Sequence, residues 1–317
     1  MTRAGTTTTA SSAQGRLAAW VSGGAARFDA TLEACLAGQG GACPARLQGA
    51  MRHAVLAGGK RLRPYLVLES ARLFGLEGEG PQRVAAALEL VHCYSLVHDD
   101  LPAMDNDDLR RGQPTVHRAF DEATAILAGD GLLTLAFAVL ADRRTARSAS
   151  VRMALVAALA QASGGAGMVG GQMLDLAAEG RFADGKARPL TGDEIVAIQA
   201  MKTGALISFA AQAGALMTPR VPAAQRLGLR IFGESLGLAF QIRDDLIDVE
   251  GDAATAGKAT GKDVDAGKGT FVSLLGIDGA RRRLDEASAR GLAALAVFAG
   301  AADPLREVID FNRHRRS

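Results

Sequence analysis

Apolar residues recur every three to four positions along most of this 317-residue chain, a spacing that gathers them on one face of an α-helix. Strand-like alternation is nearly absent, and none of the loops rich in Gly and Pro resembles an interdomain linker. We therefore predict an all-α protein whose single domain, residues 14–317, is a helical bundle, with a disordered tail at residues 1–13. The predicted helices cover residues 15–37, 44–57, 62–76, 81–99, 117–141, 148–163, 166–179, 191–217, 221–249, 279–299 and 303–313.

Local signals fix several helix ends. Thr191 and Glu194 have the spacing of a capping box, in which the hydroxyl and the carboxylate each pair with an amide of the first turn. Pro222 and Pro304 stand where a helix start tolerates a missing N–H. Pro102 should end the helix that precedes it, because its ring clashes with the preceding turn.

Charge and cysteine content exclude several classes of protein. Thirty-six basic and 34 acidic residues give a net charge of +2, so no overall field attracts nucleic acid or an anionic membrane. Cys35, Cys43 and Cys93 lack metal-ligand spacing and are interpreted as reduced thiols of a cytoplasmic protein. No uninterrupted apolar run approaches the roughly 20 residues of a membrane-spanning helix, so we expect no membrane insertion.

The first acidic cluster follows a predicted apolar helix. It combines five carboxylates with two arginines: Asp99, Asp100, Asp105, Asp107, Asp108, Arg110 and Arg111. Negative charge at a helix C-terminus is unfavourable because the helix dipole is negative there, so a cation is expected nearby. A calcium loop is excluded, since Arg110 stands where that loop needs Gly. The alternative interpretation is a solvated helix end whose aspartates are neutralised by the adjacent arginines.

The second acidic cluster lies inside a predicted helix. Asp244 and Asp248 are four residues apart and therefore share one face, where like charges destabilise an isolated helix. Divalent cations would reverse that effect, and carboxylates without Cys or His ligands favour a hard ion such as Mg²⁺. A solvated acidic face is the alternative here too.

Basic residues suited to phosphate binding accompany these clusters. Lys60 and Arg63 lie in the sequence GGKRLRP, whose glycines allow close approach of the backbone to a ligand, although a solvated basic turn is the alternative. His92 could be structural or catalytic. Gln172 and Asp175, one helical turn apart, either line a cavity or pair with each other. The basic residues 313–316 are interpreted as a solvated charge run, with closure over a diphosphate as the alternative.

Together these motifs resemble the trans-prenyltransferases of the polyprenyl synthetase family, specifically the bacterial farnesyl and the related geranylgeranyl diphosphate synthases. The resemblance runs from about residue 50 to residue 276. It rests on the segments GGKRLRP, DDLPAMDNDDLRRG, GGQMLDL, KTGALI, FQIRDDLID and GKATGKDVDAGKGT, which occur in the family's order.

The resemblance implies a homodimer of helical bundles, each enclosing a deep central cavity with the two aspartate motifs facing each other. It implies three Mg²⁺ ions, for which Mn²⁺ can substitute, and the substrates isopentenyl diphosphate and an allylic diphosphate. The implied metal ligands are Asp99, Asp105 and Asp244, supported by Asp100 and Asp248.

Roles for the remaining site residues follow from the same resemblance. The residues implied to bind isopentenyl diphosphate are Lys60, Arg63, His92 and Arg111, and those implied to grip the allylic diphosphate are Arg110, Lys202 and Lys258. Thr203 and Gln241 would stabilise positive charge near the reacting carbons, and with Lys202 they form the implied catalytic group.

Residues just before the first acidic cluster set product length in the family. Tyr94 and Ser95 occupy these positions, and an aromatic floor at Tyr94 favours a C15 product, farnesyl diphosphate, over C10 or C20 products. A class I terpene cyclase is an alternative, but it would not need GGKRLRP for a second diphosphate. A non-catalytic synthase subunit is a further alternative, although such subunits commonly lose an aspartate motif, and both are intact here.

Overall fold

The computed structural model describes residues 15–38, 42–182, 190–250 and 270–315, and these residues confirm the all-α class. The predicted disordered tail at residues 1–13, and Lys258 with the rest of its Gly-rich motif, lie outside the described residues. Within them, the only β-structure is an antiparallel pair, β1 (Leu109–Arg110) and β2 (Gln113–Pro114).

The helices follow the predicted segments closely. The first is α1 (Arg16–Ala19), which continues through a π-helical turn into α2 (Ala25–Ala37). The others are α3 (Ala45–Val55), α4 (Leu62–Arg72), α5 (Glu79–Asp99), α6 (Val116–Ala119), α7 (Glu122–Ala141), α8 (Ala149–Ser163), α9 (Met168–Ala178), α10 (Gly192–Gln199), α11 (Ala205–Met217), α12 (Ala223–Glu250), α13 (Phe271–Ala294) and α14 (Asp303–His314).

Contacts divide the chain into two compact units. The N-terminal unit comprises Trp20–Leu159 and Ala213–Pro219. Among the described residues, the C-terminal unit comprises residues 15–19, 160–182, 190–212, 220–250 and 270–315. The first acidic cluster belongs to the N-terminal unit and the second to the C-terminal unit.

Helix α5 forms the centre of the N-terminal unit. It packs against α4 and α7 and is buried on most of its circumference, including Leu88, Leu90 and Val91. A helix surrounded in this way is held mainly by burial of its apolar side chains. The packing therefore fixes the C-terminal end of α5, which carries Asp99.

Helices α12 and α13 form the main packing pair of the C-terminal unit. Ile242 and Leu246 of α12 join Phe271 and Leu284 of α13 in one buried cluster. Because Asp244 and Asp248 lie on the same helix as these core residues, the cluster also fixes the second acidic motif.

Several predicted helix ends are confirmed. Thr191 and Glu194 form both hydrogen bonds of a capping box at the start of α10. Pro304 stands in the first turn of α14, and α5 ends at Asp99, before Pro102.

Two predicted boundaries were wrong. The segment 117–141 is broken, because the Asp121 side chain accepts a hydrogen bond from Thr124 N and caps a new helix. The segment predicted to begin at residue 279 begins at Phe271, where Thr270 caps the helix. Gly276, with φ 67°, kinks this helix. The turns before the kink therefore do not continue the apolar periodicity of the turns after it, and the sequence pattern missed them.

Three stretches are long and apolar enough to cross a membrane by length and composition alone: Glu122–Ala141, Ala149–Ala178 and Gly192–Met217. The lack of a long uninterrupted apolar run therefore does not exclude segments of this length and hydropathy. Such a run excludes every charged residue, whereas a window of average hydropathy tolerates an isolated charge such as Asp130. Half of the apolar window in Glu122–Ala141 is buried by packing within the protein.

Candidate active site

The turn from α3 to α4 carries the motif GGKRLRP in an unusual backbone conformation. Gly58, Gly59 and Arg61 all have positive φ, of 80°, 128° and 50°. A Cβ added to Gly59 would lie 2.7 Å from Arg111 Cζ, so the glycine leaves the space that this guanidinium occupies. Arg111 also donates a hydrogen bond to the Gly58 carbonyl, which holds the two predicted phosphate-binding segments together.

Arg61 is the structural anchor of this turn, a role the sequence did not reveal. Its guanidinium is fully buried and bonds Glu89 Oε1 at 2.7 Å, Asp29 Oδ1 at 3.0 Å and the Val55 carbonyl. Its left-handed φ of 50° is unfavourable for a non-glycine residue, so these bonds hold a strained backbone in place. The neighbouring Lys60 is thereby left exposed at the surface.

At the end of α5, Asp100 and Arg110 form a buried ion pair. Asp100 is 3% exposed, and Arg110 Nε lies 2.7 and 2.8 Å from its two carboxylate oxygens. Arg110 also lies 3.7 Å from Asp107. Arg110 therefore neutralises neighbouring aspartates in this structure. Asp100, Arg110 and Arg111 also line a small pocket of the N-terminal unit.

Asp99 and Asp105, the two predicted metal ligands of this cluster, are more accessible. Asp105 N donates to the Asp99 carbonyl at 2.8 Å, which closes a tight turn and brings the two residues together. Asp105 is exposed and Asp99 is half-buried. Their backbone is thus fixed while the Asp105 carboxylate faces solvent.

His92 lies among guanidinium groups. Arg63 Nη1 is 3.4 Å from His92 Nε2. Desolvation lowers the pKa of His92 well below its ordinary value, and the charges of Arg63, Arg111, Arg110 and Arg61 lower the pKa further. The ring is therefore neutral near pH 7, and it can share a hydrogen bond with Arg63 without adding to the positive charge.

Tyr94 and Ser95 lie one to two turns before Asp99 on α5. The Tyr94 ring is 6% exposed and meets the His98 ring edge-on, with centroids 5.7 Å apart. Burial, together with the charge of Asp99, raises the pKa of Tyr94 to about 12, so the phenol stays neutral. Ser95 Oγ donates to the His92 carbonyl at 2.9 Å and so is tied to its own helix.

In the C-terminal unit, Lys202 and Thr203 lie in a π-helical turn, Ala200–Gly204, that joins α10 to α11. Single π turns are frequent at functional sites because they alter side-chain direction locally. Gly171 of α9 packs directly on this turn, since an added Cβ would lie 2.7 Å from Lys202 Cα. One turn further along α9, Asp175 Oδ2 lies 2.5 Å from Lys202 Nζ. Asp175 therefore pairs with Lys202, which is neither of the two alternatives, cavity lining or a bond to Gln172, that the sequence left open.

Close packing at a second glycine, Gly237, positions Thr203. A Cβ on Gly237 of α12 would lie 2.7 Å from Gly204 Cα, so α12 also packs closely on the π turn. Four residues later, Gln241 Oε1 accepts a hydrogen bond from Thr203 Oγ1 at 3.3 Å. Gln241 Nε2 in turn donates to Asp245 Oδ1 at 2.9 Å. This chain of bonds fixes the amide, so that its oxygen points to Thr203.

The three aspartates of the second cluster have different surroundings. Asp245 is 4% exposed and accepts a hydrogen bond from Phe271 N at 2.8 Å, so it is a structural residue that ties α12 to the start of α13. Asp248 is half-buried. The Asp244 side chain is 44% exposed and bonds Arg315 at 2.6 Å. Sequence reasoning did not find this arginine, and the interpretation of residues 313–316 as a solvated run was wrong for it.

The carboxylates suit Mg²⁺ better than a metal whose coordination shell consists entirely of protein side chains. Among residues 15–38, 42–182, 190–250 and 270–315, no group of three His, Cys, Asp or Glu side chains could hold an ion alone. Mg²⁺ commonly takes one or two carboxylates and completes its shell with water and substrate phosphate. The oxygen-only character of the two clusters agrees with this.

Comparisons with known proteins agree with the family resemblance of the motifs. The sequence matches the family Polyprenyl synthetase over residues 44–297. It is 49% identical to farnesyl diphosphate synthase of Escherichia coli, over 74% of this chain and 76% of that relative.

Two solved structures share the fold. An FPP/GFPP synthase from Zymomonas mobilis, in its apo form, superposes with a TM-score of 0.80 at 41% identity, covering 95% of this chain and 99% of that one. A geranyltransferase from Legionella pneumophila gives a TM-score of 0.82 at 33% identity, covering 98% of this chain and 99% of that one. The chain belongs to the polyprenyl synthetase family, whose members use isoprenyl diphosphate substrates and generally depend on Mg²⁺.

Proposed function

We propose that this protein is a short-chain trans-prenyl diphosphate synthase that condenses isopentenyl diphosphate with dimethylallyl and then geranyl diphosphate, giving farnesyl diphosphate. Its 49% identity to a relative of that name supports the proposal. The observation that carries it is the group of guanidinium ions around neutral His92, from Arg63, Arg110 and Arg111, beside the first aspartate motif. Such a concentration of positive charge suits a diphosphate.

Asp99, Asp105 and Asp244 are the proposed metal ligands, and Asp100 and Asp248 support them. Three Mg²⁺ ions are expected from the resemblance. Bound Mg²⁺ supplies electrostatic stabilisation of the departing diphosphate. The protein contributes by fixing the backbone of each ligand, through the turn that Asp105 N closes and through the packing of α12.

Lys60, Arg63, His92 and Arg111 are the proposed ligands of isopentenyl diphosphate. Because His92 is neutral, it can donate to a phosphate oxygen without repelling the adjacent Arg63. Arg110, Lys202 and Lys258 are proposed to grip the allylic diphosphate. Lys258 lies outside the described residues.

Thr203 and Gln241 are proposed to stabilise the allylic cation through oxygen lone pairs. The hydroxyl and the amide oxygen are neutral, so they can face a cation without capturing it covalently. The isopentenyl double bond then attacks the allylic carbon, and the released diphosphate removes the final proton. No side chain is required as a nucleophile.

The first prediction concerns Asp99 and Asp244. We expect Asp99→Ala and Asp244→Ala each to abolish condensation while the helical circular dichroism spectrum is retained, because each change removes a metal ligand but no core side chain. The measurement is radiochemical product formation from isopentenyl diphosphate with dimethylallyl, geranyl or farnesyl diphosphate in turn, with Mg²⁺.

Asp108→Ala is the matched control, since Asp108 belongs to the same cluster but bonds Arg118 at the surface, and it should retain activity. Near-normal rates of condensation in both Asp99→Ala and Asp244→Ala would contradict the assignment of these aspartates as metal ligands. Products formed equally well without isopentenyl diphosphate would instead identify a terpene cyclase.

Tyr94 is the proposed floor that limits the product to C15. Its ring is buried on the helix that ends at Asp99, and its edge-on contact with His98 holds it in one orientation. A buried, neutral aromatic ring can stop an apolar chain that grows along the helix away from the aspartates.

The second prediction is that Tyr94→Ala shifts the product from C15 to C20 or longer, because removal of the ring opens space. Chromatography of the dephosphorylated products measures chain length. Ser95→Ala removes only a hydroxyl that bonds the His92 carbonyl, and it should leave the product unchanged. An unchanged C15 profile in Tyr94→Ala would refute the floor.

We further propose that the protein is a cytoplasmic homodimer that neither inserts into a membrane nor binds nucleic acid. Its cysteines are free thiols, as expected in a reducing compartment. Exposed apolar side chains on α7 and α8, namely Ile126, Leu127 and Met153, are 46%, 57% and 66% exposed and are candidates for burial by a second copy.

The third prediction tests this interface by sedimentation. The native protein should sediment at twice the chain mass of 32.7 kDa, and Leu127→Glu with Met153→Glu should shift it toward the monomer. Leu227→Glu, at an exposed apolar position of α12, is the control and should leave the dimer intact. A native protein at the mass of one chain would contradict the dimer.

A further inference from the structure

Arg315, the residue after the end of α14, bonds the proposed metal ligand Asp244. Arg315 Nη2 lies 2.6 Å from Asp244 Oδ1. The Arg315 side chain is only 7% exposed, whereas that of Asp244 is 44% exposed. A buried cation therefore lies against one oxygen of a carboxylate that is otherwise open to solvent.

Contacts other than the ion pair hold Arg315 in place. Its Nε donates to Asn312 Oδ1 at 2.9 Å, and its Nη2 donates to the Phe240 carbonyl at 3.1 Å. The guanidinium carbon lies 4.1 Å from the centroid of the Phe240 ring, a cation–π contact. These partners are neutral, so they orient the guanidinium but leave its charge to be balanced by Asp244.

The second aspartate motif itself anchors the backbone of Arg315. Arg243, the residue before Asp244, donates from Nε to the Arg315 carbonyl at 2.8 Å. Arg243 is held in turn by Glu250 at 3.6 Å. The motif thus fixes both the main chain and the side chain of Arg315, and the contact does not depend on a long, mobile side chain at the surface.

Two cations near one carboxylate repel each other. A divalent ion that binds Asp244 meets the charge of Arg315 a few ångströms away, and the partial burial of the arginine limits screening by water. Among the residues that the structure describes, Asp244 is the carboxylate in ion-pair contact with Arg315.

We propose that Arg315 is a built-in competitor of the divalent cation for Asp244, so that tight metal binding at this carboxylate requires the added negative charge of a diphosphate. The inference rests on the proposed function for the assignment of Asp244 as a metal ligand. It makes Arg315 a positioning residue, which acts through Asp244 rather than on the substrate. Its consequence is that metal and diphosphate bind together at Asp244, and metal alone binds weakly.

The fourth prediction tests this competition with Mn²⁺ alone, measured by electron paramagnetic resonance and by calorimetry without any substrate. Arg315→Gln removes the charge and should tighten Mn²⁺ binding about two- to tenfold, the range expected from the loss of one partly buried ion pair. Arg315→Met, which retains an apolar contact with the Phe240 ring, should give the same gain if the Gln variant folds poorly. Arg315→Lys keeps the charge and should stay near the native affinity.

Matched controls separate this effect from a general loss of positive charge. Arg313→Gln removes an arginine two residues away that bonds Asp285 at 2.5 Å, and it should leave Mn²⁺ affinity unchanged. In an Asp244→Asn background, Arg315→Gln should bring no gain.

Three results would overturn the competition. The first is unchanged or weaker Mn²⁺ binding in both Arg315→Gln and Arg315→Met. The second is a gain in Mn²⁺ affinity in Arg315→Lys equal to that in Arg315→Gln. The third is a gain in affinity from Arg315→Gln that persists in the Asp244→Asn background. If Asp244→Asn leaves native Mn²⁺ binding unaltered, the metal assignment of the proposed function fails as well, and the two failures are thereby distinguished.

Discussion

Ion pairs between aspartates and anchored cations organise the candidate active site. Asp100 bonds Arg110, Asp175 bonds Lys202, and Asp244 bonds Arg315. In each pair at least one side chain is largely buried, so removal of one partner would leave a poorly solvated charge. Two of these carboxylates, Asp100 and Asp244, belong to the proposed metal site and are therefore already paired with cations that the fold supplies.

These ion pairs involve two of the residues proposed to bind substrate. Arg110 and Lys202 are proposed to grip the allylic diphosphate, and each bonds an aspartate in the structure. We therefore expect each of these two cations to exchange its carboxylate partner for diphosphate oxygens when the substrate binds. Each cation then keeps a negatively charged partner, which costs less free energy than leaving that cation isolated.

The sequence predicted the helices and the acidic and basic motifs well because these are local patterns. Periodicity located α5 and α12, and the capping box of α10 was read from Thr191 and Glu194. Contacts distant in sequence were not predictable. The pairing of Asp175 with Lys202 depends on a glycine contact with a π turn, and no local spacing signals such a turn.

The role of Arg315 illustrates the same limit. A run of basic residues near a chain end is usually solvated. Only the packing of α14 on α12, with the ring of Phe240 and the carboxylate of Asp244 together, distinguishes Arg315 from its neighbours. Likewise Asp245 stands directly beside Asp244 in sequence, and only its burial and its hydrogen bond from Phe271 N show that it ties α12 to the start of α13.

If a divalent metal joins the aspartates to the diphosphate, calorimetry with a non-hydrolysable thio analogue of geranyl diphosphate measures that link. The analogue should bind at least about tenfold more tightly with Mg²⁺ than with EDTA, a difference of about 1.4 kcal/mol. Equal affinity in EDTA would rule out the metal link, because the basic residues alone would then hold the substrate.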